Sequence, residues 1–389
     1  MKRTIRELED LEGKRVLLRC DFNVPLDNYG DILDESRIMA ALPTISYLVR
    51  HGARLVVCSH LGRPKGYDKY LSLFPIAVFL MKYFPNRVKF CNKIVGPEAE
   101  KAAAQLHNGE ILVLENLRFE EGEEKNDPVF VQKLAKLGDI FVNDAFGVAH
   151  RKHASTYGVA LKMPAAIGFL IERELQTFEK AFKGTHHPFV AIFGGAKVSD
   201  KLDLIKNVMD KADTIIIGGG MAYTFLQARG INIGDSIVAH DKIEDAKEIM
   251  KMARERKIKL LLPVDHVAYI KDKDKVVKTS ELERGMVALD IGKRTIKLFA
   301  AEIMKAKQVV WNGPVGKYED PRFKKGTMKI AKAIAKSEAY SIVGGGDSVS
   351  AINACGVAKH IEHLSTGGGA SLKLMEGKVL PAVEVIDTI

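Results

Sequence analysis

Phe189-Val190-Ala191-Ile192-Phe193 runs without a polar residue into Gly194-Gly195-Ala196-Lys197, and segment 200–211 then repeats its apolar residues at helical spacing. An unbroken apolar run of this length is what a strand carries when helices cover both faces of its sheet. Glycines at the turn let backbone N–H groups approach an anion closely, and the helix start beyond them adds partial positive charge. The stretch reads as one strand–turn–helix unit of a parallel α/β sheet, with an anion cradle at the strand's carboxyl end.

The same unit recurs on either side of it. Short β-branched or apolar runs predict strands at 16–20, 55–60, 111–115, 140–143, 214–217, 259–262, 309–311 and 341–343. Helical spacing predicts helices at 38–51, 97–107, 129–137, 200–211, 243–256, 295–305 and 327–337. A chain of 389 residues with 47% hydrophobic content exceeds what one core usually supports, so two lobes are expected. Ile171, Leu175, Phe178 and Phe182 put one apolar stripe on an otherwise charged segment, which reads as a connecting helix between the lobes. The predicted fold is α/β: two Rossmann-like lobes with mostly parallel sheets, joined by a connecting helix and hinge.

No apolar stretch approaches the roughly 20 residues that span a bilayer, and the first twenty residues contain no export-signal core, so a cytoplasmic protein without membrane contact is expected. Cys20, Cys58, Cys91 and Cys355 lie far apart and read as reduced thiols rather than a disulfide or zinc framework. The net charge of +10 is spread through helices that also carry glutamates, as at 242–257. With no aromatic stacking platform or recognition motif beside it, nucleic acid is not an expected partner.

Polar clusters follow the predicted strands of the first half: Asp21-Phe22-Asn23, His60-Leu61-Gly62-Arg63, Asn116-Leu117-Arg118 and His150-Arg151-Lys152-His153. One arginine reads as a surface ion pair worth about 0–1 kcal/mol. Arg37, Arg63, Arg118 and Arg151, taken as lying at strand ends, read together as a site for a small ligand with several negative charges, because the guanidinium fork matches phosphate and carboxylate. Their charge would repel a cation, so His60, His150 and His153 read as anion donors rather than metal ligands.

The second half carries glycine instead, at Gly194-Gly195, Gly218-Gly219-Gly220, Gly344-Gly345-Gly346-Asp347-Ser348 and Thr366-Gly367-Gly368-Gly369. Any one of these is accounted for by a tight turn. Four in one half point to nucleotide phosphates. Neither a G-x-x-x-x-G-K-[ST] loop nor a G-x-G-x-x-G after a strand occurs, which argues against a P-loop NTPase and a dinucleotide dehydrogenase. Asp347 at a helix start can hold Mg²⁺ on nucleotide phosphates or simply cap the helix. Lys197 and Lys201, four apart, are expected on one helix face near the phosphates, and Glu319 within reach of ribose hydroxyls.

Taken in order, Arg19-Cys20-Asp21-Phe22-Asn23-Val24-Pro25, Ser59-His60-Leu61-Gly62-Arg63-Pro64, Glu115-Asn116-Leu117-Arg118-Phe119, Asn143-Asp144-Ala145-Phe146-Gly147, Gly194 through Lys201, Trp311-Asn312-Gly313-Pro314 and Thr366 through Ser371 resemble the phosphoglycerate kinase family over essentially the whole chain. The resemblance implies reversible phosphoryl transfer between ATP and the carboxylate of 3-phosphoglycerate, in line, after hinge closure. It implies an N-terminal 3-phosphoglycerate domain at 1–170 plus 370–389, a connecting helix at 171–185 and a nucleotide domain at 186–369. Asp21, Phe22, Asn23, Arg37, His60, Leu61, Gly62, Arg63, Arg118 and Arg151 would hold the acid. Gly195, Lys197, Lys201, Gly219, Gly292, Asn312, Glu319, Gly345, Gly346, Asp347 and Ser348 would hold ATP or ADP, with Mg²⁺ on Asp347. Arg37, Lys197 and Gly368 would be catalytic. A monomer is the family-level expectation. Two positions depart from the family pattern: Lys152 replaces a small residue, and Ser348 replaces a threonine but keeps the hydroxyl.

Overall fold

A computed structural model of the chain describes residues 2–183 and 186–387, the side chain of Asp200 excepted. Residue 1, residues 184 and 185 of the expected connector, and residues 388 and 389 of the expected C-terminal segment lie outside the described residues. The chain divides into two compact units, Met1–Gln176 with Val379–Ile389, and Thr177–Lys378.

The first unit is built on strands β1 (Arg15–Arg19), β2 (Arg54–Cys58), β3 (Val88–Cys91), β4 (Ile111–Leu114), β5 (Ile140–Asn143) and β6 (Ala165–Ile167), all parallel, in the order β3-β4-β2-β1-β5-β6. Successive residues of β1, Val16, Leu17 and Leu18, are all fully buried, as are Leu55, Val56 and Val57 of β2, because both sheet faces are covered. Removing each such side chain from water contributes roughly 1.5–3 kcal/mol. Ile38, Ile45 and Leu48 of the helix Ser36–Arg50 join this core.

The second unit holds β7 (Phe189–Phe193), β8 (Thr214–Ile217), β9 (Lys259–Leu261), β10 (His266–Ile270), β11 (Lys275–Thr279), β12 (Met286–Ile291), β13 (Gln308–Asn312), β14 (Tyr340–Gly344) and β15 (His363–Leu364). A parallel sheet runs β15-β14-β13-β7-β8-β9, and a separate antiparallel sheet runs β11-β10-β12. This small sheet is not among the strands expected from sequence. Its turn is Lys271–Lys273 followed by Asp274 at a φ of 42°, a left-handed residue with no glycine to announce it.

Both parallel sheets reverse direction once. In the first, the chain leaves β1 towards β2 and leaves β5 towards β6, so the switch point lies between the adjacent strands β1 and β5. In the second it leaves β13 towards β14 and β7 towards β8, placing the switch between β13 and β7. The loops after these four strands are where an open α/β sheet binds its ligands.

The helix Phe169–Lys183 is continuous through the boundary between the units at Gln176 and Thr177. Of its expected stripe, Ile171 and Phe178 are buried, and Leu175 and Phe182 are half-buried. It starts firmly. Thr44 Oγ1 accepts the N–H of Phe169 at 2.9 Å, and Asp144 Oδ1 accepts those of Leu170 and Ile171 at 2.9 and 3.2 Å. The return to the first unit begins at Val379 rather than at 370. Helix Gly369–Met375 stays with the second unit, where Asn207 Nδ2 donates to the Met375 carbonyl at 2.5 Å.

Candidate functional site

At the first switch point the loop after β1 turns its backbone inward and two of its side chains outward. Phe22 is fully buried and its N–H donates to Ser59 Oγ at 2.8 Å, which leaves Asp21 and Asn23 facing the loop after β2. Asn23 Oδ1 accepts the N–H of Gly62 at 2.8 Å. Asn116, after β4, holds the same loop from the other side: its Oδ1 accepts from Leu61 at 3.2 Å and its Nδ2 donates to the carbonyls of Leu61 and Leu71, both at 2.8 Å. Three strand ends are thereby locked to one another before any ligand arrives. Phe22 and Leu61 have their side chains in the core, so only their backbones line the site.

Cations gather on this frame. Arg37 Nη1 donates to Asp21 Oδ2 at 2.8 Å. Arg118 donates to the Gly62 carbonyl and pairs with Glu124 at 3.3 Å, and Arg151 approaches the same Glu124 oxygen at 3.9 Å. Arg118 Nε is buried without a hydrogen-bond partner, a donor left over by the protein. Arg63 is exposed, next to Gly62. The sequence expectation that all four arginines sit at strand ends is corrected for Arg37, which lies in the first turn of the helix Ser36–Arg50.

Two histidines of this region, His60 and His153, are pushed towards the neutral form. Burial first, then the charges of Arg19, Arg118, Arg37 and His153, drive His60 well below its ordinary range. Burial, with Arg19, Arg151 and Arg118, lowers His153 to about 4.

Sequence reasoning missed the layer underneath. Arg19, Glu123 and Ser155 are fully buried beneath the arginines, with Arg19 Nε donating to Ser155 Oγ at 2.7 Å and Ser155 Oγ donating to Glu123 Oε1 at 2.5 Å. The available signal was a charged residue closing an apolar strand run in Val16-Leu17-Leu18-Arg19-Cys20.

At the second switch point the backbones themselves interlock. Gly194 N–H donates to the Asn312 carbonyl at 3.0 Å, Gly195 to Pro314 at 2.8 Å and Gly219 to Val315 at 3.0 Å. The strands' loops cross so tightly that a Cβ on Gly194 would lie 2.1 Å from the Pro314 carbonyl oxygen, and one on Gly313, whose φ is 92°, 2.4 Å from that of Gly194. Only glycine fits these positions. Trp311 Nε1 donates to the Gly313 carbonyl at 2.8 Å and Ser348 Oγ accepts the Gly313 N–H at 2.8 Å, tying in the loop after β14.

Lys197 and Lys201 do not share a helix face. The helical turn begins only at Ser199, so Lys197 is exposed in the loop while Lys201 is buried, its ammonium on the carbonyls of Gly194 and Asn312. Asn312 Nδ2 is buried without a partner, and a Cβ on Gly345 would lie 3.4 Å from it. Gly345 precedes the helix Gly346–Ala354, with Gly346 and Asp347 exposed in its first turn. Gly368, at a φ of 48°, starts helix Gly369–Met375, whose Met375 and Ser371 pack near Gly344 at the end of β14.

Gly292 and Glu319 belong to a different part of the second unit. Gly292 follows β12, and a Cβ there would strike the Asp265 carboxylate, which already accepts the N–H groups of Arg294 and Thr295 at 2.9 and 2.7 Å. Glu319 is exposed after β13. Among the described residues no group of three or more His, Cys, Asp or Glu could cage a metal ion, and no helix is long and apolar enough to cross a membrane. A lone exposed carboxylate beside a glycine turn does fit Mg²⁺ that arrives on nucleotide phosphates, since that ion needs one or two protein carboxylates and keeps its waters.

The sequence profile of the phosphoglycerate kinase family matches residues 5–378. Phosphoglycerate kinase of Dictyoglomus turgidum is 50% identical over 392 aligned positions covering 99% of both chains, and that of Chloroflexus aurantiacus is 52% identical over 396 positions covering 99% of this chain and 98% of the relative. The solved phosphoglycerate kinase of Coxiella burnetii superposes with a TM-score of 0.87 at 37% identity, covering 99% of this chain and 98% of that one.

Proposed function

The chain belongs to the phosphoglycerate kinase family, an ATP-dependent enzyme of glycolysis that reversibly moves a phosphoryl group between ATP and the carboxylate of 3-phosphoglycerate, and we propose that the loops at its first switch point hold the acid and those at its second hold the nucleotide. The observation that carries this reading is the pair of unsatisfied donors. Arg118 Nε is left over among four arginines at one site, and Asn312 Nδ2 beside bare glycine backbone at the other. Buried polar atoms are rarely left without partners, and these two lie where ligand oxygens would supply them.

Asp21, Asn23, Arg37, His60, Arg63, Arg118 and Arg151, with the backbone of Phe22, Leu61 and Gly62, would engage the phosphate and carboxylate of the acid. Gly195, Lys197, Gly219, Asn312, Gly345, Gly346, Asp347 and Ser348 would engage the nucleotide, with Lys201 holding the loops in shape from beneath. Gly292 and Glu319 would meet its nucleoside end. Asp347 would hold Mg²⁺, which neutralises phosphate charge when bound.

The acceptor carboxylate is ionised at neutral pH and has no proton to lose, so the chemistry needs positioning and cations rather than a base. Arg37 and Lys197 would sit against the transferring group, with the backbone N–H groups at Gly367, Gly368 and Gly369 as further donors. Asp21 fixes one guanidinium nitrogen of Arg37 and so aims the rest of the fork. Transfer requires the acid and nucleotide to meet, and an acyl phosphate survives only out of water, so the reading includes closure on both ligands.

Turnover of ATP with 3-phosphoglycerate, coupled to NADH oxidation through glyceraldehyde-phosphate dehydrogenase, tests the assignment. Activity that collapses in both Arg37→Ala and Lys197→Ala supports it. Unaltered kcat and KM values in either variant would place that residue outside the site.

A further inference from the structure

Arg19 ends β1 with its side chain fully buried and each of its three nitrogens hydrogen-bonded to protein. Nε donates to Ser155 Oγ at 2.7 Å, Nη1 to the Cys20 carbonyl, and Nη2 to His60 Nδ1 at 3.1 Å, with Glu123 Oε1 at 3.9 Å from Nη2. Glu123 is itself fully buried and fixes Ser155 twice, through the N–H at 3.0 Å and the hydroxyl at 2.5 Å. Placing two charges in the interior costs several kcal/mol of desolvation each, so a buried pair is poor value as a source of stability and is better explained by the geometry it enforces.

The geometry enforced is that of His60. A guanidinium only donates, so the contact at 3.1 Å requires a lone pair on Nδ1 and leaves the ring proton of neutral His60 on Nε2. Among the described residues Nε2 has no partner. The opposite tautomer has a competitor waiting: Asp21 Oδ1 lies 3.9 Å from the same Nδ1 and would draw the proton there if Arg19 were absent. The charged and titratable groups around the ring are Arg19, Arg37, Arg118, His153 and Asp21, and burial first, with the three arginines and His153 after it, disfavours a positive charge there.

We propose that Arg19 is a positioning residue for the transfer reaction: it locks His60 in the Nε2–H tautomer, so that His60 meets the anionic acid as a neutral donor aimed by a buried Arg19–Ser155–Glu123 relay. The inference rests on the reading that the first switch point holds 3-phosphoglycerate. It explains why a histidine among arginines, which cannot afford a positive charge, is still useful there: it donates a hydrogen bond without adding charge.

The test uses full-length protein with ¹⁵N-labelled histidine. Two-bond nitrogen–hydrogen spectra report directly which ring nitrogen of His60 is protonated, assigned by His60→Gln, and steady-state kinetics are run beside them. Wild type should show His60 as the Nε2–H tautomer from pH 6 to 8. Arg19→Met should switch it to Nδ1–H on Asp21 and raise KM for 3-phosphoglycerate by about ten-fold or more, with KM for Mg-ATP unchanged. If that variant does not fold, Ser155→Ala, which removes only the Nε anchor, should populate both tautomers and raise KM for the acid by a smaller factor. A wild-type Nδ1–H tautomer or imidazolium, or an unaltered tautomer in Arg19→Met and Ser155→Ala, overturns the role of Arg19. A switched tautomer with unchanged KM for the acid supports the hold of Arg19 on His60 but overturns the placement of His60 against the substrate.

Discussion

The ammonium of Lys201 donates to the backbone carbonyl of Asn312 at 2.9 Å, joining the helix that follows β7 to the last residue of β13 across the second switch point. The side chain is almost wholly buried and also bonds the Gly194 carbonyl, so it closes the crossing of the two glycine loops. Lys201→Met keeps the length and loses the donors, leaving the Gly194 carbonyl unsatisfied at about 1–3 kcal/mol and the Asn312 carbonyl with the Gly194 N–H alone. Differential scanning calorimetry should show a lowered unfolding temperature, and kinetics a raised KM for Mg-ATP with that for 3-phosphoglycerate unaltered. Equal changes in both KM values would count against a local role.

Arg37→Ala should lower kcat by a factor on the order of 10² to 10³, the loss expected when one donor to developing charge is removed. The measurement is kcat at saturating concentrations of both substrates. A raised KM with unchanged kcat would mean that Arg37 serves ground-state binding alone.

Asp144 gives a pH prediction. Burial lifts its carboxyl to about 7, although the N–H groups of Ile171 and Leu170 and the Thr44 hydroxyl pull the other way. The unfolded value is about 3.9, so between about pH 4 and 7 the folded state holds a proton that the unfolded state releases, and stability falls as pH rises through that window. Asp290, lifted to about 7 by burial in the second unit, acts in the same sense. Asp144→Asn keeps an oxygen for the helix N–H groups and removes one of the two titrations. Its stability relative to wild type, from urea unfolding at pH 4.5 and pH 8, should rise with pH by at most about 1.4 kcal/mol per unit and level off above pH 7. Parallel pH profiles would show that Asp144 is ionised throughout.

Asp347→Asn removes a charge but not the helix start of Gly346–Ala354. We expect the Mg²⁺ concentration for half-maximal rate to increase several-fold, with unfolding temperature unchanged. An unaltered Mg²⁺ dependence would leave Asp347 without a part in holding the ion.

The parallel architecture was legible because its strands are continuous apolar runs, as in Phe189 through Phe193, and fully buried strands need little else. Short or mixed strands were not. Ala165–Ile167 has no β-branched enrichment, and Lys275–Thr279 presents lysines in an exposed antiparallel hairpin whose turn uses Asp274 instead of glycine. Arg63 and Arg118 could be placed because charge just after a strand is conspicuous, whereas Arg37, in the first turn of the helix Ser36–Arg50, could not be placed on that ground. What could not be read was depth: Lys197 and Lys201 look equivalent in sequence, yet one is exposed and the other buried, because the helix starts two residues later than their spacing assumed. Arg19 was hidden for the same reason, since its burial depends on Glu123 and Ser155, both more than a hundred residues away in the chain.

Separate calorimetric titrations of 3-phosphoglycerate and Mg-ATP into wild type, Arg118→Ala and Lys197→Ala test the two-site assignment most directly. Arg118→Ala should lose affinity for the acid and keep it for the nucleotide, while Lys197→Ala should do the reverse. Acid affinity retained in Arg118→Ala, or both ligands weakened alike by either substitution, would contradict it.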